Sequence, residues 1–99
     1  MKALTLALLT LVATPPAAAE EWSRARIARL PDSAFAAVEI APDGTTLRHL
    51  PHHDETGAVD LAHLRAARAR LPQVKWLDHA SADAAARHLE EHERELGLR

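Results

Sequence analysis

Apolar positions along the chain form one nearly unbroken stretch, followed by several short periodic ones. Ala3 to Ala13 is interrupted only by Thr5 and Thr10; Lys2 precedes it, and Pro15-Pro16 and Ala17-Ala18-Ala19 follow. A positive start, an apolar middle and small residues ahead of Glu20-Glu21 form the pattern of a secretory signal peptide, with cleavage expected after Ala19. The run is too short to span a bilayer, which takes roughly 20 helical residues. Residues 1–19 are therefore expected to be a signal peptide and 20–99 a single small domain, secreted or periplasmic. No stable membrane insertion is expected after cleavage.

Beyond the signal the pattern changes. Glu20 to Leu30 is charged, and only Trp22, Ile27 and Leu30 offer apolar surface to dock on a core. Pro31-Asp32-Ser33 reads as a turn. Phe35 to Ile40 alternates as a strand does, with Val38 and Ile40 on one face and Glu39 on the other. Asp43-Gly44 supplies the positive φ of a tight turn, and Thr46 to Leu50 returns as a second strand with Leu47 or Leu50 inward. Leu61, Leu64 and Leu71 fall on one helical stripe behind the N-cap candidate Asp60, and Pro72 stops that helix. Ser81, or Asp78 three residues earlier, caps a second helix running to about Leu96, with Gly97 as its stop. The expected fold is α+β: a short β-hairpin at about 35–50, then two antiparallel α-helices at about 61–71 and 82–96. The expected core is Phe35, Val38, Ile40, Leu47, Leu61, Leu64, Leu71, Trp76, Leu77 and Leu89.

Composition narrows what such a domain does. The chain has 99 residues and a formal charge of −2, which signal cleavage would make −3 by removing Lys2. An acidic balance argues against a nucleic-acid partner, since such proteins carry a basic excess. There is no cysteine, so disulfides and thiolate metal sites are excluded. No Gly-x-Ser-x-Gly motif and no phosphate-cradling glycine loop is present. These absences, with so thin a core, point away from an enzyme and toward an exported domain that binds an unknown protein partner.

Histidine is the exception. Seven lie between His49 and His92. His49, His52 and His53, with Asp54 and Glu55 beside them, are candidate ligands for Zn, Cu or Ni, because neutral imidazole is the commonest metal ligand and carboxylates complete such sites. A periplasmic transition-metal binder is thus the alternative function, with no cofactor otherwise expected. His88-Leu89-Glu90-Glu91-His92 matches the H-x-x-E-H pattern of inverted zinc peptidases. Only seven residues follow His92, too few for the third ligand and the cleft those enzymes need. This pair is expected to lie on a helix surface.

Three stretches also resemble, in order, a small domain of unknown function found in tailed-phage and prophage proteins. They are Leu30-Pro31-Asp32-Ser33-Ala34-Phe35-Ala36, Arg48-His49-Leu50-Pro51-His52-His53-Asp54, and the segment from Val59 to Leu71 that ends Ala69-Arg70-Leu71. The likeness covers roughly residues 22 to 97. It implies a compact scaffold or interaction module and carries no catalytic residues. The export signal departs from that family and suggests an exported bacterial version of the fold.

Overall fold

The computed structural model describes residues 21–98. The expected signal peptide and its cleavage point lie outside those residues. The described chain runs α1 (Arg24–Arg29), β1 (Phe35–Ile40), β2 (Thr46–Pro51), α2 (Leu61–Arg70) and α3 (His79–Glu95). Single 3-10 turns sit at Asp32–Ala34 and Leu71–Gln73. The α+β architecture is as expected, with α1 added ahead of the hairpin. No helix among the described residues is long and apolar enough to cross a membrane.

Each helix starts where a short polar side chain can accept a free backbone N–H. Ser23 accepts from the N–H of Arg26, Asp60 from that of His63 and Asp78 from that of Ala80. The cap at Asp78 sets the start of α3 at His79, three residues before the expected 82. Strands β1 and β2 pair antiparallel, with Ala37 opposite His49 and Glu39 opposite Leu47. Gly44 takes φ +87° in the connecting turn, and Asp43 accepts the N–H of Thr45 there.

Two small apolar clusters hold these elements. Trp22, Leu30, Ala34 and Phe35 form one, with Ile27 against it. The arm at 21–30 therefore docks, as its sparse apolar residues predict. Arg48 locks it down by donating to the carbonyls of Leu30 (2.5 Å) and Ile27 (3.1 Å). The second cluster is Leu50, Leu64, Ala67 and Leu89, flanked by Val59, Leu71, Val74 and Trp76.

Four expected core residues lie outside. Val38, Ile40, Leu61 and Leu77 are exposed, Ile40 at 63%. On β1 the alternation is real but the buried face is the other one, because Glu39 turns inward. Its carboxylate accepts the N–H groups of Leu77 (3.1 Å) and Asp78 (2.9 Å), where the chain enters α3. Two otherwise unpaired donors there outweigh the aliphatic preference for the interior.

Candidate metal centre

Strand β2 ends in an irregular step. Leu50 adopts φ +61°, the left-handed region that a branched side chain rarely enters. Its side chain stays in the second cluster while its carbonyl turns toward the following loop. Beyond Pro51, the N–H of His52 donates to Ala34 (2.9 Å), and the N–H of Asp60 donates to the His52 carbonyl (2.8 Å). The backbone of His52 is thus held at both ends, and its side chain is fully buried.

The loop from His53 to Val59 closes on itself. Asp54 accepts from the N–H and hydroxyl of Thr56, and the N–H of Gly57 donates to the Asp54 carbonyl. Gly57, at φ +87°, faces its own carbonyl to His53. Glu55 pairs with Arg26 of α1. The carboxylates of Asp54 and Glu55, expected as possible ligands, are spent on the loop and on α1.

Across from this loop, His88 and His92 stand one turn apart on one face of α3, beside the buried Leu89. Both are half-buried rather than exposed. They meet His52 and His53, and the four residues bring one ligand atom each within 4.8 Å of one another. The Nε2 atoms form a chain of contacts: His52 to His88 at 3.1 Å, His88 to His92 at 3.1 Å and His92 to His53 at 3.1 Å.

The other ring nitrogens fix where the protons are. Nδ1 of His52 faces the Leu50 carbonyl at 3.0 Å, Nδ1 of His53 the Gly57 carbonyl at 2.9 Å, and Nδ1 of His92 the Glu95 carboxylate at 3.3 Å. Carbonyl and carboxylate oxygens only accept, so each of these nitrogens carries its proton. In neutral imidazoles the three Nε2 atoms are then bare lone pairs. A proton on Nε2 of His88 serves one neighbour, yet the His53–His92 contact still sets lone pair against lone pair. Further protons are disfavoured. Burial, and the like charge the other three rings would carry, push His52 down to about 4. Burial and the neighbouring His92 and His53 also lower His88.

A metal cation placed among them would satisfy all four lone pairs at once. For nitrogens roughly 2.0–2.1 Å from an ion, neighbours stand about 2.8–3.0 Å apart in a square plane and about 3.3–3.4 Å in a tetrahedron. Three of the six separations, at 3.1 Å, lie between the two, and all four atoms fall within 4.8 Å of one another. Outer oxygens on the second ring nitrogens are the partners that metal-bound histidines have elsewhere.

His49, the third residue of the expected ligand set, is not in this group. As a strand residue opposite Ala37, it donates from Nε2 to Glu39 (2.9 Å) and packs edge-on against Trp76. Pro51 and the left-handed Leu50 separate it from His52. His63 is elsewhere too, stacked on Trp22 at 3.5 Å and bonded to Asp60. Sequence reading found His52 and His53 but assigned His88 and His92 to the surface. The available signal was a one-turn histidine pair beside a buried leucine. No family model, curated protein or solved structure matches the chain.

Proposed function

We propose that this chain is a small non-enzymatic domain that binds one divalent transition-metal ion through His52, His53, His88 and His92. The observation that carries the reading is the meeting of four imidazole Nε2 atoms, three of them with Nδ1 tied to an oxygen acceptor. Imidazole donors suit Zn, Cu and Ni. Zn²⁺ is favoured because it has no geometric preference of its own and accepts the cage with least rearrangement. Four protein ligands would leave no position for a reacting water, which separates this centre from catalytic zinc sites. Glu91 is exposed and makes no contact with the four rings that would give it the role of a base. The first nineteen residues support action in the periplasm or outside the cell.

Calorimetric titration of chelator-treated protein with Zn²⁺, Cu²⁺ and Ni²⁺ tests the reading. One ion per chain with Kd below about 1 µM is expected for Zn²⁺. His88→Ala and His53→Ala should each weaken binding roughly tenfold or more, since each removes a ligand, whereas His49→Ala should not. No heat with any of the three ions, or full affinity in a folded His88→Ala variant, would overturn it.

A further inference from the structure

We infer that Glu95 is a positioning residue of this centre: its carboxylate holds His92 as an Nδ1–H donor and supplies negative charge that four neutral imidazoles lack. The inference rests on the metal-binding reading above. Its first support is contact. Oε2 of Glu95 lies 3.3 Å from Nδ1 of His92, whereas the matching partners of His52 and His53 are uncharged carbonyls. Histidine ligands backed by a carboxylate are more basic and fixed in orientation, and losing such a partner typically weakens metal binding 10–100-fold.

Its second support is that the neighbouring acids are otherwise engaged or make no such contact. Glu90 and Glu93 face Arg68 on α2, at 3.6 and 2.7 Å. Glu55 is paired with Arg26, and Asp54 holds its own loop. Glu91 stands on α3 beside the cage, exposed, and bonds to none of its rings. Glu91 and Glu95 are both acids of α3 close in sequence to His92. Only Glu95 adds a hydrogen bond.

The third support is the cost of the position. Glu95 is the last residue of α3, where an acid opposes the helix macrodipole. Its side chain is 60% exposed, and a solvent-exposed ion pair contributes little to folding. A carboxylate there does little for the metal-free fold. It gains a role once a dication sits behind His92.

These arguments give opposite signs for fold and metal, which Glu95→Ala, Glu95→Gln and Glu91→Ala in the full chain can read. Zn²⁺ affinity would be measured by competition with a chromophoric chelator, and thermal midpoints on the metal-free proteins. Glu95→Ala should bind Zn²⁺ about tenfold or more weaker than the parent. Glu95→Gln should fall between, because its amide oxygen still accepts. Glu91→Ala measures the through-space charge effect alone and should stay within about threefold. Metal-free Glu95→Ala should melt at or above the parent midpoint. Equal affinities for Glu95→Ala and Glu91→Ala, or a lower metal-free midpoint in Glu95→Ala, would overturn the inference. A parent protein that fails to bind Zn²⁺ overturns the metal-binding reading itself.

Discussion

Glu39 occupies a strand position between two aliphatic residues, and it is the carboxylate that is buried. Burial pushes its pKa up, but the backbone N–H groups of Leu77 and Asp78, the Ser81 hydroxyl and His49 outweigh this and hold it below the usual range. A carboxyl lowered in the folded state stabilises the fold above its unfolded pKa, and that contribution is lost as pH falls through the folded value. Thermal midpoints of the metal-free protein should therefore drop between roughly pH 6 and 3, and Glu39→Gln should flatten part of that slope. Equal slopes in the two proteins would remove Glu39 from the account. The alternation of β1 was legible from Val38, Glu39 and Ile40. Which face went inward was not, because the deciding donors lie almost forty residues away at Leu77 and Asp78.

At the scale of elements, α3 does most of the positioning. Its cap at Asp78 fixes the rotation that puts Ala85 and Leu89 in the interior and His88 and His92 beside them. Asp78→Ala should cost about 1 kcal/mol in urea unfolding, the ordinary value of an N-cap. It should weaken Zn²⁺ binding less than loss of any ligand histidine, because both ligands lie two or more turns from the cap. The helix itself was readable from its caps and stripe. Its histidine pair stands apart in the sequence from the group His49, His52 and His53, and each was read in isolation. Each group alone is ordinary, and only the packing of the loop against α3 brings His52, His53, His88 and His92 together. Alanine also hid information. Ala67 and Ala85 are buried at close approaches, yet a chain this rich in alanine gives no pattern that marks them.

The whole molecule rests on two separate apolar clusters and, on the reading proposed here, a metal cage that ties the loop after β2 to α3. Leu64 is fully buried at the centre of the second cluster. Leu64→Ala is expected to cost about 2–5 kcal/mol, a large share of the stability of so small a domain, measured by denaturant titration. Free Zn²⁺ at about 100 times its Kd should add roughly 2.7 kcal/mol to the parent, and at least about 1 kcal/mol less to His88→Ala. A parent whose stability ignores both Zn²⁺ and chelator would break the link between cage and fold. Such a cage would also impose an order of events. His52 and His88 are 36 positions apart, and His53 and His92 are 39 apart. An unfolded chain has no preformed site. A growing or threading chain that has not yet delivered α3 thus offers only two of the four proposed ligands. On the metal-binding proposal, the ion captured would then be set by where α3 finishes folding, not by where the chain is made.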